Sequence, residues 1–154
     1  MITIKEDIQE VHTFSLLVDN EAGVLARVIG LFSGRGYNIE SLTVAEVDKD
    51  SHTSRITIVS KGSPKTIDQI KRHLERLVPV HKVTDLTIEG PSVEREMALI
   101  KVLYTNENKE EILRLVEIYR AKIVDTTDKS FVFELTGAMD KINSFIDLLR
   151  PLGL

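Results

Sequence analysis

The chain has 154 residues, of which 42% are hydrophobic, enough for one ordinary domain or two small ones with packed cores. It has no cysteine, which excludes a disulfide framework and thiolate chemistry, and its 20 basic against 24 acidic residues give a net charge of −4, which argues against a broad phosphate-binding surface. The longest apolar runs fall far below a membrane span, and Met1 to Glu10 is too acidic and polar for a signal peptide, so a soluble, cytoplasmic protein with neither membrane nor nucleic acid as partner is expected.

In chain order, Phe14, Leu16 and Val18 alternate with Ser15 and Leu17 as a half-buried strand. Val24, Leu25, Val28, Ile29 and Phe32 then recur at helical spacing. Leu42, Val44 and Val47 lie in a second extended run and Ile56 and Ile58 in a third, with Asp48-Lys49-Asp50-Ser51 between them as a hairpin loop. Pro64 suits the first turn of a helix whose apolar face is Ile67, Ile70, Leu74 and Leu77, and Pro79 ends it. A fourth strand is predicted from Val80 to Ile88, before a linker at Gly90-Pro91. The order is β-α-β-β-α-β, and it then starts again. Met97 to Tyr104 reads as a strand and Ile112, Leu115, Val116 and Tyr119 as a helical stripe. Ile123-Val124 and Phe131-Val132-Phe133 form a hairpin around Thr127-Asp128-Lys129, and Ile142, Phe145, Ile146 and Leu149 make a last amphipathic helix. After Pro151-Leu152-Gly153-Leu154 no strand matches Val80 to Ile88. The predicted fold is α+β: two ferredoxin-like units in tandem, at residues 11–89 and 92–154, the second lacking its last strand.

The turn Asn20-Glu21-Ala22-Gly23, between the first strand and helix, carries the most chemistry. Gly23 lets backbone approach a ligand without a Cβ in the way, and the helix beginning near Val24 offers unpaired N–H groups and a positive dipole end, which suit a carboxylate. Asn20 and Asn38 each hold a carbonyl acceptor and amide donors, so either can orient an ammonium or a carboxylate. Free amino acids present both groups. The alternative is structural: Gly23 as a helix-entry residue and Asn20 as a turn or cap residue. Gly34 and Gly36 follow a helix and read as its C-terminal turn, while Gly30, inside the helical stripe, marks either close helix packing or nothing.

Catalytic patterns are poor. His12, His52, His73 and His81 have no short ligand spacing and read as surface or partly buried side chains, and no Gly-x-Ser-x-Gly elbow presents a nucleophile. Lys71, Arg72, Arg76 and Lys82 read as a solvated face. An RNA-binding ferredoxin-like domain would place stacking aromatics and basic residues on its central strands, where this chain has Ser15, Leu17, Arg55 and Thr57.

The runs Asn20 to Leu25, Arg27-Val28, Leu31-Phe32-Ser33, Arg35 to Leu42 and Val93-Glu94-Arg95-Glu96 resemble the small regulatory subunit of acetolactate synthase, over nearly the whole chain from His12 to Leu154. The first unit resembles an ACT domain, a ferredoxin-like module that binds amino acids. Members of that family usually continue through another strand after the last helix, so the second unit is read as truncated. The resemblance implies a non-catalytic subunit that binds and activates a large catalytic subunit and confers feedback inhibition by valine. Thiamine diphosphate, Mg and FAD belong to that catalytic partner, and this chain is expected to carry no cofactor or metal. The family's valine contacts fall on Asn20, Gly23 and Asn38, with Val24, Leu25 and Ile39 as the nearest apolar wall. ACT modules of this kind pair side by side as homodimers, with the effector between one protomer's glycine turn and the other's Asn38 region. The rival implied by the same resemblance is an ACT-type sensor for another amino acid and another enzyme.

Overall fold

The computed structural model describes residues 8–154, which divide into two compact units between Ser92 and Val93. The first contains β1 (Glu10–Asp19), α1 (Val24–Arg35), β2 (Ser41–Asp48), β3 (Thr53–Gly62), α2 (Pro64–Glu75) and β4 (Val80–Asp85). Its sheet is antiparallel in the order β2-β3-β1-β4, the arrangement of a split β-α-β unit.

Strand alternation sends Phe14, Leu16 and Val18 of β1 and Ile56 and Ile58 of β3 to one face, and the helices cover it. There they meet Val24, Val28, Leu31 and Phe32 of α1 and Ile67, Ile70 and Leu74 of α2, all buried. At about 1.5–3 kcal/mol for each large apolar side chain taken out of water, this cluster is the main support of the unit. α2 starts where Ser63 Oγ accepts the Thr66 N–H at 3.3 Å with Pro64 in the first turn. α1 ends at Gly36, whose φ of +67° lets the Tyr37 N–H turn back to the Phe32 carbonyl at 2.9 Å. Gly34 is not part of that turn but lies inside the helix. In the β2–β3 hairpin the Asp48 carboxylate accepts from Ser51 Oγ at 2.6 Å and from the Asp50 N–H at 3.0 Å. These bonds, the hydroxyl foremost, hold its pKa below the usual aspartate value.

Two predicted ends move. β4 stops at Asp85 instead of Ile88, because the buried Asp85 carboxylate takes the Thr87 N–H at 3.1 Å and the Ile88 N–H folds back to the Asp85 carbonyl at 3.3 Å. The chain therefore turns out of the sheet. α2 ends at Glu75, and Leu77 packs half-buried on the core from just beyond it.

The second unit contains β5 (Glu96–Leu103), α3 (Lys109–Tyr119), β6 (Lys122–Thr126), β7 (Ser130–Gly137) and α4 (Met139–Leu149), then a 3-10 turn at Arg150–Leu152. Its antiparallel sheet has the order β5-β7-β6. Ile100, Val102, Phe131, Phe133 and Leu135 face Ile112, Val116, Ile142, Phe145 and Leu149 across a separate core. A string of rings runs through it, with Phe131 stacked on Tyr104 at 4.5 Å and Phe145 against Tyr119 at 5.0 Å. On the side of β5 away from β7 no strand pairs among the described residues, but the Gly153 carbonyl accepts the Leu103 N–H there at 2.8 Å. The end of the chain thus engages one end of that edge.

Candidate functional site

Gly23 caps α1 at φ +87°, a left-handed conformation open to glycine and costly for other residues. A Cβ there would meet nothing within 4 Å, so the backbone angle, and not crowding, demands the glycine. No side chain caps this end of α1 and its first turn holds no acidic residue, so N–H groups at the positive end of the helix dipole are open to an anion. That is what a carboxylate needs. Asn20 fixes the turn against the β2–β3 hairpin: its N–H donates to the His52 carbonyl at 2.7 Å and its Nδ2 donates to Glu46 Oε1 at 3.1 Å.

Asn38 sits just before β2. Its carbonyl accepts from the buried Ser60 Oγ at 2.6 Å, and its Nδ2 donates to Glu40 Oε1 at 2.5 Å. Among the predicted apolar residues, Leu25 is 37% exposed and Ile39 half-buried against the core. Val24 packs into the core, 5% exposed, beneath the turn.

One chain does not bring these residues together. Asp19 pairs with Thr53 and lies next to Asn20, whereas Asn38 is tied to Ser60, seven residues further along β3, or about 23 Å at the rise of a strand. The glycine turn and Asn38 therefore stand at opposite ends of the first unit's sheet, along its β2 edge. Glu46 and Glu40, which hold the two asparagine amides, and Ser60, which anchors Asn38, were not singled out from the sequence. The signal for them is the β2–β3 register, which sets Glu46 opposite Ser54, one position from the hairpin.

Three of the four histidines have side-chain partners. His12 is buried, with Nδ1 2.7 Å from Asp85 Oδ2 and Nε2 3.1 Å from Glu10 Oε2, and His81 Nε2 lies 2.5 Å from Asp19 Oδ1. Tyr37 Oη and His73 Nδ1 are 3.1 Å apart with their rings stacked. Among the described residues no group of three or more His, Asp or Glu is placed to hold a metal ion, and no helix is long and apolar enough to cross a membrane.

Residues 14–82 match the AHAS small subunit-like ACT domain, and residues 95–154 match the family described as the small subunit of acetolactate synthase. The chain is 48% identical over 143 residues to a probable acetolactate synthase small subunit of Archaeoglobus fulgidus, covering 93% of this chain and 88% of that one. The chain belongs to the acetolactate synthase small-subunit family. It is also 46% identical to the isozyme 3 small subunit of Salmonella typhimurium, over 90% of this chain and 84% of that one. The crystal structure of the small subunit from Thermotoga maritima superposes with a TM-score of 0.84 at 45% identity, covering 94% of this chain and 89% of the other. The ACT match ends within β4 and the second match begins just ahead of β5, so the two family regions fall one on each unit.

Proposed function

We propose that this chain is the regulatory subunit of acetolactate synthase. It binds and activates the catalytic subunit, which carries thiamine diphosphate, Mg and FAD, and it confers feedback inhibition by valine without catalysing any step itself. The observation that carries the effector reading is the separation of the glycine turn from Asn38 along β2. β2 is an edge strand, and Val44 and Val47 on it are exposed. If two copies pair antiparallel through β2, the start of one strand lies beside the end of the other. Asn38 of one protomer then meets the Gly23 turn of its partner, and each half-site is completed by the second copy. The ligand carboxylate takes the α1 N-terminus, Glu46 and Glu40 are available to its ammonium, and Leu25 and Ile39 flank its side chain. Because the site exists only in the dimer, effector binding and dimer geometry are linked.

The test is titration of valine into the isolated subunit by calorimetry, with its melting temperature and its inhibition of the reconstituted enzyme measured alongside. Valine should bind, raise the melting temperature by mass action and inhibit, with leucine and isoleucine weaker, by about 1–3 kcal/mol per methylene. A folded dimer that gives neither heat nor thermal shift at millimolar valine would overturn this effector. Tighter binding of leucine than of valine would favour an ACT-type sensor tuned to another amino acid.

A further inference from the structure

The helical face of the first unit carries a second feature that the effector reading does not use. A groove of about 440 Å³ runs between α1 and α2, with Arg27 and Arg35 on one bank and His73 and Arg76 on the other. Leu31 and Leu77 contribute apolar surface to it, and no acidic residue lines it. None of the three guanidinium groups has an ion-pair partner among the described residues, although α2 readily supplies one elsewhere, where Arg72 pairs with Asp68 at 2.9 Å. In a chain of net charge −4, three unpaired arginines on one groove are a local concentration of positive charge. His73 reports it: desolvation first, then the charges of Arg35 and Arg76, hold its pKa below the ordinary histidine value.

Gly30 supplies an independent observation. It lies in the groove between Arg27 and Arg35, and a Cβ built on it would meet nothing within 4 Å. Close helix packing is therefore not its role. Glycine in a helix interior costs about 0.5–1 kcal/mol relative to alanine, and here the fold gets no contact in return.

We propose that this groove is the surface on which an acidic segment of the catalytic subunit docks, a proposal that rests on the regulatory-subunit reading above. Arginine pairs with carboxylates bidentately and is enriched at protein interfaces, and an apolar floor flanked by guanidinium groups is the make-up of such a contact. A small anion is the weaker fit, because no buried polar side chain among the described residues is left unpartnered and aimed into a closed pocket. The groove also stays accessible when β2 edges pair. Leu25 and Ile29, the exposed apolar residues of α1, lie on the side of the helix away from Arg27 and Gly30.

The experiment measures association of the full chain with the catalytic subunit as salt is raised, for wild type, Arg27→Glu/Arg76→Glu, the milder Arg35→Gln/Arg76→Gln, Gly30→Phe and Gly30→Ala, with melting curves to establish folding. Both arginine variants should weaken association, the reversal by about tenfold or more, and flatten its salt dependence. Gly30→Phe should weaken it with every charge intact, while Gly30→Ala should not. Valine binding by the isolated Arg35→Gln/Arg76→Gln, Gly30→Phe and Gly30→Ala variants should be unchanged. Wild-type association by the folded arginine and Gly30→Phe variants would overturn the proposal, as would tight binding of inorganic pyrophosphate to the groove with association unaffected. Failure of the wild-type chain itself to associate would overturn the regulatory-subunit reading and this proposal with it.

Discussion

At Gly23 the φ of +87° and the adjoining helix N-terminus make two separate demands, and two substitutions tell them apart. Gly23→Ala adds the strain of a left-handed alanine, about 1–2 kcal/mol, without charge. It should lower the melting temperature and weaken valine inhibition only in part. Gly23→Asp adds a carboxylate where the ligand's own carboxylate needs the helix dipole, so valine inhibition of the reconstituted enzyme should be lost while activation by the subunit remains. Retained inhibition in Gly23→Asp would make the turn purely structural. At His73 the expected result is spectroscopic: its imidazole should titrate below the usual histidine range, and Arg35→Gln/Arg76→Gln should move it upward. Since the folded pKa is depressed, its contribution to stability is present above the unfolded value near 6.5 and is lost as pH falls from there toward the folded pKa. An unshifted His73 in proton NMR would contradict this. Asn20, Gly23 and Asn38 were legible in the sequence because a turn glycine and two amides beside an apolar helix are local patterns. Glu46 and Ser60 were not, because only strand register brings them to the asparagines.

The elements followed from periodicity wherever one face was buried. The alternation at Phe14, Leu16 and Val18 and the helical spacing of Ile67, Ile70 and Leu74 are both visible in the final core. What failed was an end set by a tertiary contact: β4 stops where the carboxylate of Asp85, buried beside His12 from β1, redirects the chain, and no local signal marks that. Edge strands give the next prediction. The Leu103 N–H points away from β7 to Gly153, so by strand alternation the N–H groups of Met97, Leu99 and Lys101 point the same way, with no strand beyond them among the described residues. In hydrogen exchange on the free protein Leu99 and Lys101 should exchange rapidly, while Ile100 and Val102 on β5, and all of Phe14 to Leu17 in the centre of the first sheet, stay protected. Uniform protection along β5 would mean that its outer edge is covered.

The tandem repeat was readable over the whole chain because each unit has its own apolar stripes, and the two cores indeed form from separate sets of residues. The first has a four-stranded sheet with Phe14 and Phe32 fully buried; the second has three strands and, among the described residues, no strand on the outer side of β5. Calorimetry should therefore resolve two unfolding transitions, and valine should shift the one that belongs to the first unit while leaving the other in place. One transition that moves as a whole would show the units to be coupled. The twelve residues of α1 make a rod about 18 Å long, with the glycine turn at one end and Arg35 at the other. A tilt of about 5° about the Gly23 end swings the Arg35 end through about 1.6 Å, half the length of an ion pair, by the leverage of that rise. A ligand that tilts α1 at the turn would re-aim an arginine just over three helical turns away, so that one stiff rod would carry a signal across the unit with no side chain changing its rotamer.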